Sequence, residues 1–310
     1  MFLFIESNKY DYHMDNLKIF FPISGIETYF FFPPLVAFII SFFTSMGGVS
    51  GAFLILPFQM SILGFTTPSV SATNFLYNIV GTPGGIFPYI REQRMVWPLA
   101  IMITIGTLPG VLIGYYVRVM YLPDPRFFKF FVGIVLLYIG FRLAKSIGPK
   151  RHVSPPHANK AFVVSNVFWN MRRMEFYFSG DKVSFSVPAL LSLCLIVGII
   201  GGIYGIGGGA IIAPFCVSIL HIPVFTIAGP ALFGTFMTSI AGVFFYSSVP
   251  INSGQTAPPD WLLGFLFGVG GLLGMYLGAR CQKYIPEKMI KAILTLIILI
   301  VSLKYIVQFF

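Results

Sequence analysis

The chain has 310 residues, of which 56% are hydrophobic and only 10% charged, a balance that soluble domains of this length do not show. Its net charge of +10 is not a nucleic-acid footprint, because Lys and Arg of membrane proteins gather in cytoplasmic loops. The composition selects an integral membrane protein and excludes a soluble globular domain with a nucleic-acid partner.

Residues 1–28 are polar, with Glu6, Asp11 and Asp15 ahead of any long apolar run. They lack the basic start of a cleaved signal peptide and are expected to be a short tail. Apolar segments follow at about 29–46, 52–64, 70–90, 96–117 and 127–145, and again at 188–204, 209–220, 226–246, 261–279 and 288–309. The second and seventh hold about a dozen residues, and at ~1.5 Å each they reach only ~18 Å, short of a bilayer crossing. They are predicted to be half-helices, or the second arms of hairpins that enter from one face.

Each short segment opens on a glycine cluster. Met46 to Phe58 reads M-G-G-V-S-G-A-F-L-I-L-P-F, and Tyr204 to Phe215 reads Y-G-I-G-G-G-A-I-I-A-P-F. An offset of 157 places Gly205 on Gly48, Gly207 on Ser50, Gly208 on Gly51 and Pro214 on Pro57. A helix interior loses roughly 1 kcal/mol per Gly relative to Ala, so runs of glycine mark places where a helix stops. The same offset pairs Gly85 with Gly242. After an insertion, G-T-L-P-G-V-L-I-G at 106–114 matches G-G-L-L-G-M-Y-L-G at 270–278, and Y-L-P-D at 121–124 matches Y-I-P-E at 284–287. This is a duplicated unit, and glycine-broken helices at matching points of two halves point to a transporter binding site.

Between the halves, 146–187 is polar and basic. Its 155–175 part is predicted as an amphipathic helix and 176–187 as a hairpin around Ser-Gly-Asp, lying on the membrane face. If each half crosses an odd number of times, thirteen Lys and Arg fall on one side, seven of them in 145–182, against Lys9, Lys18, Arg118, Arg126 and Lys129 opposite. The positive-inside rule then makes the halves inverted repeats with a cytoplasmic linker. Trp97 and Trp261 read as interfacial belt residues, and Arg91 and Arg94 as cytoplasmic anchors.

The interior is notable for what it lacks. No Asp, Glu, Lys, Arg or His lies between Glu27 and Arg91, and between Lys182 and Asp260 only His221 does. A cation transporter or a carboxylate proton relay would be expected to show an acid there. What remains is hydroxyls, amides and the N–H groups of helix starts, which favour anions. Half-helices beginning at Gly51 and Gly208 would aim two positive dipole ends at one neutral-walled site. Asn74 and Asn78 stand one turn apart on one helix face, continued by Ser71 and Thr67; their counterparts Ala231 and Thr235 are less polar, so the site is asymmetric. The candidate substrate-binding residues are Gly48, Ser50, Gly51, Asn74, Asn78, Gly205, Gly207, Gly208, Gly209 and Thr235. Small-xxx-small helix packing explains Gly106, Gly110 and Gly114 with Gly270, Gly274 and Gly278, but explains adjacent glycine triplets poorly. No Gly-Lys-Ser/Thr follows the clusters, which excludes a Walker A loop. Cys194, Cys216 and Cys281 have no metal-like spacing and read as small buried hydrophobes. No catalytic residue, metal or cofactor is expected.

Two apolar halves, each with a Gly-rich turn followed by Pro-Phe and closed by a G-x-x-x-G-x-x-x-G helix and a Y-[LI]-P-[DE] turn, resemble the TauE/SafE sulfite exporter family of membrane permeases. The resemblance covers residues 30–307 and implies movement of sulfite, sulfonates or related organic anions across the cytoplasmic membrane without ATP hydrolysis. The expected fold class is an all-α integral membrane protein of two inverted repeats, each a Gly-broken helix pair plus three full spans, with roughly 8–10 membrane segments. Its expected organisation is a polar N-terminal tail (1–28), first membrane repeat (29–145), basic cytoplasmic linker (146–187) and second membrane repeat (188–310). The expected function is a secondary transporter for a small anion, not an enzyme, with the lipid bilayer as surroundings and a homo-oligomer compatible with the sequence. Alternatives are an anion channel and a membrane-embedded sulfur-handling partner protein.

Overall fold

The structure, a computed structural model, describes residues 17–46, 49–92, 95–147, 164–170, 172–178, 181–219, 224–250, 256–281 and 287–310. Ten helices are present among them. The first half holds α1 (Phe32–Met46), α2 (Ala52–Ser61), α3 (Ser69–Arg91), α4 (Trp97–Met120) and α5 (Pro125–Ile147). The second holds α6 (Val187–Tyr204), α7 (Gly208–Ile219), α8 (Val224–Ser248), α9 (Trp261–Cys281) and α10 (Glu287–Val307). Helices α4, α5, α6, α8 and α9 are long and apolar enough to cross a membrane. Helix α3 has the length, at 23 residues, but bears the polar stripe in place of a uniformly apolar surface. Local chemistry sets the ends: Ser186 accepts from the Ala189 N–H at the start of α6, and α6 stops at Gly205, whose φ of 81° only glycine adopts readily.

Two small sheets lie outside the helices. Strands β1 (Lys18–Phe21) and β2 (Ile26–Tyr29) form an antiparallel hairpin in what the sequence presents as tail. Its turn bears Gly25 at φ 68°, Phe21 and Ile26 are buried, and the Ser24 N–H and hydroxyl both donate to Asp260 Oδ2 at 3.0 Å. In the linker, β3 (Val164–Trp169), β4 (Arg173–Phe178) and β5 (Asp181–Ser186) form an antiparallel sheet in that order. The expected amphipathic helix is therefore wrong over 164–169 and 173–175; 155–163 and Met171 lie outside the described residues. Period-two burial decides it: Met174 and Phe176 are buried, and Phe176 meets the Phe185 ring across the ladder. The predicted hairpin is present, with Phe178 opposite Asp181.

The helices interlace across the two halves. A Cβ added at Gly270, Gly274 or Gly278 of α9 would fall on Pro34, Phe38 or Phe42 of α1, in rising order along both helices. In the same way Gly106, Gly110 and Gly114 of α4 seat against Cys194, Gly198 and Gly202 of α6. Small-residue packing is thus confirmed for these glycines, and in each case the partner belongs to the other half. Helix α3 also runs parallel to α9, with Leu76 on Gly264 and Val80 on Gly268. The pairs α3–α8 and α5–α10 are antiparallel: Phe75 meets Gly242 while Tyr89 meets Gly229, and Gly133 meets Tyr305 while Gly140 meets Ile298.

Candidate functional site

Helix α1 ends at Met46, and α2 packs on α3 from Ala52 onward. The second half repeats the device: Gly205 and Gly207, with φ of 81° and 75°, turn the chain from α6 into α7. Gly201 packs on Gly207 and the Gly208 nitrogen, so the α6–α7 hairpin is closed to any side chain at its neck. Both hairpin tips meet on one face of α3.

Asn74 and Asn78 join them. The Asn74 Nδ2 donates to the Ala52 carbonyl of the first tip at 3.0 Å and to the Gly205 carbonyl of the second at 3.1 Å. The Asn78 Nδ2 donates to the Ile206 carbonyl at 3.1 Å, and its Oδ1 accepts from the Ser50 hydroxyl at 2.7 Å. Ser71 donates to the Ile203 carbonyl at 3.1 Å, and Tyr204 donates to the Phe53 carbonyl in α2 at 2.7 Å. Both asparagines are fully buried, and Asn74 Oδ1 has no hydrogen-bond partner. An acceptor left so inside a membrane protein is costly unless a ligand or water answers it.

The first N–H groups of each short helix already have hydroxyl partners. Ala52 N–H donates to Ser50 Oγ at 3.2 Å, Gly208 N–H to Thr238 Oγ1 at 3.3 Å, and the Gly51 backbone hydrogen-bonds the Tyr77 hydroxyl, itself 2.7 Å from Ser41 Oγ. The candidate residues therefore fall into groups. Ser50, Asn74, Asn78 and Gly205 converge directly. Gly207 and Gly209 pack on Thr235, whose hydroxyl bonds back to the Ala231 carbonyl at 3.0 Å. Gly51 sits under Tyr77 and Gly208 under Thr107. Gly48 and His221 lie outside the described residues. Thr67 is exposed and precedes α3, so it does not extend the polar face.

Three participants went unweighed in the sequence. Thr107 hides inside the G-x-x-x-G helix yet covers Gly208. Tyr77 was visible only as one hydroxyl among many. Gln59, fully buried in α2 with neither amide atom partnered, was detectable as a lone amide in an apolar run and aligns with Cys216 of the second copy.

Beyond the tips, a cluster of apolar and aromatic side chains packs at each end of the α3–α8 pair. At one end Phe75, Tyr115 and Tyr246 meet edge-on or tilted, with Tyr246 4.7 Å from Tyr115 and 6.0 Å from Phe75 between ring centroids. At the other, Ile86, Met95, Ala100 and Leu232 cluster with Tyr89 packed against them. The 157 offset maps Tyr246 on Tyr89, Val243 on Ile86 and Leu232 on Phe75. The two clusters share these three repeat-related positions.

Membrane-length helices, a duplicated hairpin pair and an uncharged polar centre define a multi-pass membrane transport protein. Residues 34–305 match the model of the family described as Sulfite exporter TauE/SafE, and the chain belongs to that family. It is also similar to the "Probable membrane transporter protein YunE" of Bacillus subtilis (strain 168), 23% identical over 273 residues, covering 85% of this chain and 92% of that protein. No solved structure matches the chain.

Proposed function

We propose that this membrane transporter is a secondary carrier for a small sulfur-containing or organic anion, such as sulfite or a sulfonate, bound where the two hairpin tips meet on α3. The observation that carries this reading is the junction itself: two helix starts and two buried asparagines on segments with no Asp, Glu, Lys or Arg between Glu27 and Arg91 or between Lys182 and Asp260. The N-terminal ends of α2 and α7 bring partial positive charge of about half a unit each. The hydroxyls of Ser50, Tyr77 and Thr238 stand where substrate oxygens would take the N–H groups, so the anion binds by exchange and the hydroxyls turn to donate to it. Antiparallel packing of α3 with its repeat mate α8, and of α5 with α10, supports inverted halves that rock about this site. The duplicated apolar clusters favour alternating access over a continuous channel.

The test is flux in proteoliposomes with labelled sulfite, sulfonates and carboxylates, comparing wild type with Asn74→Ala and Asn78→Ala. A membrane hydrogen bond averages ~0.6 kcal/mol, so both variants should fold and insert. Each should weaken apparent substrate affinity roughly tenfold, as expected for loss of a hydrogen bond to a charged ligand. Unchanged affinity in both would reduce the asparagines to helix glue.

A further inference from the structure

The most exceptional side chain outside the junction is Arg118, in the last turn of α4. It is 0% exposed in a protein whose other buried polar groups are almost all uncharged. Its Nη1 donates to the Leu122 carbonyl, and its guanidinium lies 3.6 Å over the ring of the fully buried Phe128. Nε and Nη2 have no hydrogen-bond partner. Those two nitrogens share one edge of the guanidinium plane, the side-on fork that matches two oxygens of a carboxylate or oxoanion. A buried cation left with that edge open is strongly disfavoured, and an anion is what completes it.

Tyr246 lies within electrostatic range of Arg118 and beside Ser71, and donates to the Gly202 carbonyl at 3.0 Å, three residues before the second tip. The feature is one-sided: Arg280, near the matching point of the second copy, is exposed and lies over the Tyr276 ring.

We propose that Arg118 is a second anion site, taking two oxygens of the transported oxoanion on its Nε–Nη2 edge as a station between the α4 C-terminal face and the hairpin tips. This rests on the reading of the junction as an anion site. Equilibrium dialysis of labelled sulfite against the purified full-length protein, in detergent at low ionic strength, tests it without any membrane flux. Arg118→Lys keeps the charge but loses the fork, and should weaken one component of sulfite binding at least about tenfold. Arg118→Met should remove that component while leaving the anion-free melting temperature equal or higher, because a buried unpaired charge is gone. Sulfite binding unchanged in both variants overturns the proposal. So does a lower melting temperature in Arg118→Met that is reproduced by changing Glu6, Asp11 and Asp15 to their amides, since the edge would then hold a carboxylate of the chain itself. Sulfite binding that depends on Arg118 in a protein that moves no anion in proteoliposomes would sink the transport reading alone. Flux lost in Asn74→Ala but unaltered in Arg118→Lys would sink the arginine site alone.

Discussion

The two hairpin tips occupy matching places in a duplicated sequence, and they agree at one pair of positions and differ at another: Gly51 and its mate Gly208 each face only side chains, whereas Ser50 stands where the second copy has left-handed Gly207. At the second tip the backbone decides: Gly205 and Gly207 are left-handed, and the Cβ positions of Gly205 and Gly209 fall on the main chain of Ser71 and Ala231. At the first tip Gly51 has φ −67° and ψ −8°, open to any residue, and a Cβ there would meet only the ends of side chains, the Tyr77 hydroxyl oxygen at 2.6 Å and Ser41 Oγ at 3.1 Å. Where the second copy has left-handed Gly207, the first has Ser50, whose hydroxyl holds both Asn78 and the Ala52 N–H. Duplicated motifs preserve a position more faithfully than the physical reason for it.

Substitutions can separate these reasons. The largest effect is expected for Gly205→Ala, which adds ~1–2 kcal/mol of left-handed strain to an overlap with backbone that cannot turn aside; size-exclusion of the detergent-extracted protein should show loss of the folded peak. Gly208→Ala comes next. Its Cβ would stand 2.6 Å from the Thr107 Cβ and Cγ2, so transport should be lost, and Thr107→Gly in the same chain should restore folded yield and part of the flux. Gly51→Ala should cost about 1–3 kcal/mol by overpacking, read as a lower melting temperature, and Gly51→Ala with Tyr77→Phe should recover most of it. Equal damage from Gly51→Ala and Gly205→Ala, unrelieved by Tyr77→Phe, would contradict the contrast between the tips. The smallest effect is expected for Ser50→Gly, about 1 kcal/mol in stability from losing the hydrogen bond to the buried Asn78 Oδ1, with a measurable loss of anion affinity through Asn78.

The ten helices were legible because nearly every end is written in glycine, proline or a polar break, as at Gly205, Pro125 and Ser186. The glycine stripes of α4 and α9 announced close packing. They could not announce the partner, since a small-xxx-small face fits any similar face and only the folded chain reveals that it lies in the opposite half. The β1–β2 hairpin and β3 were missed because short strands of four to six residues carry too few alternations to stand out. Asn74 and Asn78 stood out as amides in an apolar helix. Arg118 was counted as a loop charge, because burial of a terminal arginine depends on Phe128 and Tyr246, which are brought to it by other helices.

The interlacing of α1 with α9 and of α6 with α4 also sets an order of events during synthesis. Helix α1 ends at Met46, and its packing partner begins only at Trp261. At ~5–20 residues per second of chain elongation, α1 must wait in the bilayer on the order of ten seconds or more for the helix whose glycines will receive it. During that interval the Pro34–Phe38–Phe42 face of α1 stands without the glycines that will seat it. The first half therefore leaves the contact faces of α1 and α4 unfilled until the second half has been made.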